Sequence, residues 1–178
     1  MESEKNIIIG IVDHLVENGV VAAKEAQAMI QNFEKQSEVS FDYFVVSEGL
    51  VSKEDLLLAL SQYYQVPAMD VRGYFFDTGL VRSIPKDFLL HYGVIPLEVE
   101  EDIMTVVAYR PDLPDLDSKL AEYGSYVIEF RVGLLRDIID VVREYYDEEV
   151  ITTNDMSSDD AIELIEEDDI DQLPDESI

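Results

Sequence analysis

The sequence contains no cysteine. That removes disulfides and thiol chemistry, and it fits a reducing compartment. Basic residues are scarce, with 12 Lys and Arg against 40 Asp and Glu, for a formal net charge of -28. Phosphate backbones are held by basic surfaces that release counterions. No Lys/Arg cluster of that kind occurs, which argues against a nucleic-acid partner. The same scarcity argues against direct attachment to an anionic leaflet and makes a basic protein the natural counterpart. No apolar stretch approaches the roughly 18 residues that a membrane span needs. The first residues, "MESEKNIIIGIV", carry acids where a signal peptide has basic residues. The expectation is a soluble cytoplasmic protein with no direct membrane insertion.

Hydrophobic residues make up 47% of the 178, enough for one ordinary domain or two small ones. The charge is uneven. Residues 147–178 hold 14 acids and no Lys or Arg, while residues 1–146 hold the other 26 acids and all 12 basic residues. The body of the chain begins with a repeat. Ile7, Ile8, Ile11, Val12, Leu15 and Val16 recur at helical spacing, and Asn18-Gly19 ends that helix because glycine adopts the left-handed conformation of a helix stop. Residues 22–33 predict a second helix with Ala26, Met29, Ile30 and Phe33 inward. Thirty residues on, Phe41, Phe44, Val45 and the Glu48-Gly49 stop match the first helix. Ser52 with Asp55 reads as a capping-box variant, and Leu56, Leu57, Leu60 and Tyr63 or Tyr64 continue the stripe. Two helical hairpins of one design would pack on each other. They are either a paired ligand clamp or a paired scaffold.

Beyond Pro67 the texture changes. "AMDV" is extended. "SIPKDFLLHYG" predicts a helix with Pro85 in its first turn and Gly93 at its stop. "VIPLEVEEDIMTVVAY" predicts a hairpin with an acidic turn at residues 100–102. "PDLPDLDSKLAEYG" predicts a helix with acids at its N-terminus, "YVIEFRVG" a further strand, and "LLRDIIDVVREYY" a closing amphipathic helix. The fold class is therefore α+β. Tandem helical hairpins (1–66) pack on a small mixed unit with a three- to four-stranded sheet (67–146), and a disordered acidic tail or linker follows (147–178). Within that tail "MSSDDAIELIEEDDI" could form a short helix through Ile162, Leu164 and Ile165.

In order and spacing these elements resemble the N-terminal domain of the type II secretion and type IV pilus assembly ATPases. The stretches that carry the likeness are "GLVSKEDLLLALSQYYQVPAMDV", "SIPKDFLLHYGVIPLEVEEDIMTVVAYRPDLPDLD" and "DIIDVVREYY", with Pro67, Asp70, Ile84-Pro85, Tyr92, Val94, Pro96, Leu97, Ala108 and Pro111 at the matching places. The resemblance implies a noncatalytic module that docks a motor to the inner-membrane platform, ahead of an acidic linker, and so a cytoplasmic protein that is peripheral at the inner membrane through a partner. No Gly-x-x-x-x-Gly-Lys-Ser/Thr occurs, so nothing in the chain holds nucleotide phosphates in the P-loop manner. The chain is either a fragment cut at the linker or a free-standing adaptor.

One branch of that family binds cyclic di-GMP through paired Arg-Leu-Gly motifs, each followed by a Gln. Here the Arg-Leu-Gly slots read Gly10-Ile11-Val12 and Ser40-Phe41-Asp42, and the Gln slots hold Phe33 and Tyr63. Each lost Arg–phosphate contact costs about 1.5–3 kcal/mol, which argues against cyclic di-GMP and for the scaffold. Other candidates fall short as well. His14 with Asp13 and Glu17 has too few convergent ligands for a metal. His91 suits the C-terminal end of a helix. Asp112, Asp115 and Asp117 lack the Gly and Glu of a calcium loop, because Asp117 and Tyr123 stand at those places. The expectation is no catalytic residue, no cofactor and no metal, with a protein partner from a secretion or pilus platform and a nucleotide sensor as the alternative.

Overall fold

Five apolar residues on one stripe give the first helix its buried face. In the computed structural model, which describes residues 4–36 and 38–147, α1 spans Glu4–Glu17 with Ile7, Ile8, Ile11, Val12 and Leu15 buried. It is followed by α2 (Ala23–Glu34), α3 (Phe41–Ser47) and α4 (Lys53–Tyr64). The repeat is exact at its stops. Gly19 and Gly49 take φ of +72° and +67°. Each forms the same pair of bonds. Val20 N–H donates to Leu15 C=O at 2.9 Å and Gly19 N–H to Val16 C=O at 3.0 Å, while Leu50 N–H donates to Val45 C=O at 2.9 Å and Gly49 N–H to Val46 C=O at 3.1 Å. These bonds satisfy carbonyls that a helix end leaves free. The copies differ at the next helix start. Ser52 Oγ accepts from Asp55 N–H at 3.1 Å, while Ala22 offers no side-chain cap.

The second half opens with α5 (Thr78–Arg82), a five-residue helix that the sequence reading omits; Asp77 caps it by accepting from Leu80 N–H. In α6 (Lys86–Tyr92) Pro85 is the N-cap rather than a first-turn residue, with φ -55° and ψ 139°. Two strands follow, β1 (Val94–Glu100) and β2 (Ile103–Ala108), then α7 (Leu116–Ala121), β3 (Val127–Val132) and α8 over residues 135–147. The sheet has three strands in the order β1-β2-β3, antiparallel then parallel. Pro96 is tolerated because β1 is an edge strand, and the register shifts between Pro96 and Glu98. A parallel pair needs a crossover, and α7 supplies it. That helix begins at Leu116, later than the prolines suggested, and Asp112 pairs with Arg110 instead of lining its start.

Two cores result. One collects the buried faces of α1 to α4 and is completed by Val132 and Leu134 from the far end of the chain. The other packs the sheet against α5 to α8, with Ile84, Leu89, Ile95, Met104, Leu120 and Ile138 fully buried. The expectation of a disordered tail falls outside the described residues. Among the described residues no helix is long and apolar enough to cross a membrane.

Candidate functional site

Slot residues of the tandem repeat pack across the two copies. Gly10, at the Arg slot of the first copy, lies under Tyr63, at the Gln slot of the second; a Cβ on Gly10 would sit 2.3 Å from Tyr63 Cε2. Phe33, at the Gln slot of the first copy, packs edge-on to Phe41 at 5.3 Å between ring centroids and tilted to Phe44 at 5.7 Å, both in the second copy. Aromatic rings therefore stand at both Gln slots, each packed against the other copy. Such ring pairs contribute about 0.5–1.5 kcal/mol each beyond the area they bury. Gly10→Ala should cost about 1–2 kcal/mol by overpacking against the ring. Tyr63→Ala in the same chain should recover part of that loss, as a double-mutant cycle in urea would show.

Asp42, in the second Arg-Leu-Gly slot, has a structural partner. It is the one charged residue with its side chain in the core among the described residues, 4% exposed. Its Oδ2 accepts from Leu135 N–H at 2.8 Å, at the start of α8, 93 residues away. The carboxylate thus caps a helix of the other half, where the helix dipole favours negative charge.

Beside this cap a charged groove follows α8. At one end is a hollow of about 320 Å³ walled by Tyr43, Val46, Lys53, Arg72, Leu134 and Arg136. Arg136 stacks over the Tyr43 ring at 5.4 Å. At the other end a hollow of about 600 Å³ lies between residues 71–78 and Val141, Glu144 and Tyr145, and Arg72 walls both. Arg72 is fixed by Asp137 at 2.9 Å and Asp140 at 2.6 Å, and Lys53 approaches Asp137 at 2.8 Å. Burial alone would raise the Asp137 carboxyl pKa. The hydrogen bonds from Lys53 and Arg72 outweigh burial and hold it below its ordinary 3.8. A carboxylate with a depressed folded pKa adds stability that is present above the unfolded value and is lost as pH falls through the folded one. The gap between the wild type and Asp137→Asn should therefore be about 2 kcal/mol at neutral pH and should close below pH 3.8. Urea midpoints across pH measure it.

The remaining sequence candidates stay apart. His14 Nδ1 bonds Glu17 at 3.1 Å on an exposed helix face. His91 lies in the last turn of α6. Arg110 clasps Asp112 at 2.7 Å and 2.8 Å, while Asp115 takes a left-handed φ of +60° and Asp117 lies in the first turn of α7. Among the described residues no group of three or more His, Asp or Glu could hold a metal ion. The α8 groove escaped sequence reading because its walls come from residues 43 to 145; only the amphipathic pattern of α8 hinted at an exposed charged face.

Residues 64–152 match the family profile of the MshEN domain, half of the chain. The chain belongs to the MshEN domain family. The fold agrees with that assignment. It is similar to the structure of MshE with cdg at a TM-score of 0.59 and 23% identity, over 76% of this chain and 98% of that one. It is also similar to the N-terminal domain of XpsE at 0.52 and 17%, over 80% and 97%. The resemblance to N-terminal domains of secretion and pilus ATPases thus holds at the level of family and fold. Among curated proteins, the bacteriophage adsorption protein B of Escherichia coli K12 and the bacteriophage N4 adsorption protein B of Escherichia coli O157:H7 are each 26% identical over 132 residues. This MshEN chain spans 17% of the length of those relatives.

Proposed function

We propose that this MshEN domain is a noncatalytic, cytoplasmic docking and regulatory module of a type II secretion or type IV pilus assembly motor, binding a protein of the inner-membrane platform. The observation that carries the reading is the aromatic closure of the repeat. Tyr63 lies on Gly10, and Phe33 packs on Phe41 and Phe44, so the helix pairs serve as a scaffold for each other. The acidic balance of the chain suits a basic partner surface. Purified platform cytoplasmic domains, titrated calorimetrically with the full chain, should bind with micromolar affinity; silence with every one of them would end the docking reading.

A second reading is a cyclic dinucleotide sensor. It is favoured by the likeness to MshE, which was solved with cdg, read here as cyclic di-GMP. It would require a site that does not depend on the two Arg slots, since an arginine is missing from both. Cyclic di-GMP at micromolar concentration should give no heat with this chain. A saturable signal there would replace docking with sensing.

A further inference from the structure

The two edges of the sheet are built differently. β1 carries Pro96 and a register shift, devices that keep an edge strand from pairing with another chain. β3 carries neither along Val127–Arg131. Its backbone directions follow from its ends. Val127 N–H and Gly133 N–H donate to the Asp102 and Ala108 carbonyls, on the β2 side, at 2.7 and 3.1 Å. Val132 points the other way. Its N–H donates to Pro67 C=O and its C=O accepts from Met69 N–H, both at 2.9 Å. Backbone groups of successive strand residues alternate between the two sides, so Ile128 and Phe130 turn outward with Val132. Residues 67–69 cover Val132. Among the described residues nothing bonds the outward N–H and C=O groups of Ile128 and Phe130. Their side chains pack on the core of the sheet, so these groups are already in place for a further strand. The open stretch is roughly 16 Å long at about 3.3 Å per residue.

The charge around this edge selects its occupant. The open face of the sheet shows two rows across the strands, Glu100–Ile103–Val127 and Glu98–Thr105–Glu129. Ile103 and Val127 are 38% and 63% exposed. Glu101 and Asp102, in the turn beside them, are exposed as well. Arg131 is the one basic residue on the three strands, and it faces Glu98 at 3.8 Å. Acids therefore prevail at this corner without cations to cancel them. We infer, resting on the docking reading above, that this edge takes up a β-strand of the protein partner in which Lys or Arg alternates with apolar residues. Its cations would lie over Glu129 and Val127, and its apolar side chains would continue the row of Ile128 and Phe130. A second copy of this chain is the poorer occupant. Antiparallel pairing through the same two residues would set Glu129 directly against Glu129, which is destabilising, between chains of charge -28 each.

Amide hydrogen exchange on the ¹⁵N-labelled full chain reads this edge directly. Without a partner, Ile128 and Phe130 should exchange roughly tenfold faster than Glu129 and Arg131, whose N–H groups face β2. The peptide acetyl-Lys-Val-Lys-Val-Lys-Val-amide, at twice its Kd, should slow those two amides about threefold. Its isomer with three lysines followed by three valines should leave them unchanged. Val127→Lys and Glu129→Lys, both at exposed positions, should each cancel the slowing, and Glu129→Gln should reduce it. Slow exchange of both amides in the lone chain, equal action of the isomer, or protection confined to another face would each overturn the proposal. Titration with platform cytoplasmic domains separates it from the docking reading. A domain that binds yet leaves Ile128 and Phe130 unprotected would overturn the edge and keep docking. If no domain binds while the peptide protects both amides, docking to the platform falls and the strand site stands.

Discussion

Gly93→Ala is expected to lower the unfolding free energy by about 3 kcal/mol and the melting temperature by roughly 6–12 °C. Two independent effects add at this residue. Gly93 closes α6 with φ +61° and ψ 53°, a conformation that costs an L-residue about 1–2 kcal/mol. Its missing side chain also leaves room that is already taken. A Cβ would lie 2.7 Å from Leu135 Cδ1 and 3.3 Å from Tyr109 Cβ, and such overpacking costs about 1–3 kcal/mol. The carbonyl of the same residue accepts from Tyr109 N–H at 2.9 Å, which joins the turn to the end of the hairpin. Gly49→Ala provides the control. Its φ is +67°, but nothing lies within 4 Å of the added carbon, so only the conformational cost remains. Equal losses in the two variants would refute the crowding argument.

Asp42→Ala should cost about 2 kcal/mol, and Asp42→Asn markedly less. The alanine leaves Leu135 N–H without its acceptor at the first turn of α8. The asparagine keeps an acceptor oxygen there and gives up only the attraction between a negative charge and the helix start, about 0.5–1 kcal/mol. The second oxygen of Asp42 has no hydrogen-bond partner among the described residues, so the amide nitrogen replaces no existing bond. Urea unfolding monitored by circular dichroism should rank the wild type first, the asparagine variant second and the alanine variant last. Equal losses in the two variants would show that the buried charge, rather than the bond, holds α8.

These two residues also mark where the sequence could be read and where it could not. The tandem hairpins were legible because their signals are local. The stripes recur every three to four residues, and the glycine stops stand 30 residues apart, with the same left-handed φ in both copies. The β1–β2 hairpin was legible for the same reason, with its turn at residues 100–102. The parallel pairing of β3 was not legible, because nothing within "YVIEFRVG" says which neighbour it joins. The short helix α5 was missed for lack of length, although Asp77 was a usable cap signal. At the repeat the missing slot residues were visible in the sequence. What replaced them was not, because Tyr63 meets Gly10 across 53 residues. Asp42 could not be read at all from local pattern, because its partner is a backbone amide 93 residues on.

The core of α1 to α4 is completed by Val132 and Leu134, and this sets an order of events during synthesis. The first four helices are synthesised about 70 residues before those two side chains exist. At typical elongation of about 5–20 residues per second, the delay is roughly 4–14 s. Throughout that interval the nascent hairpins present an open apolar seam, the kind of surface that chaperones shield, and closure must wait for the end of the third strand.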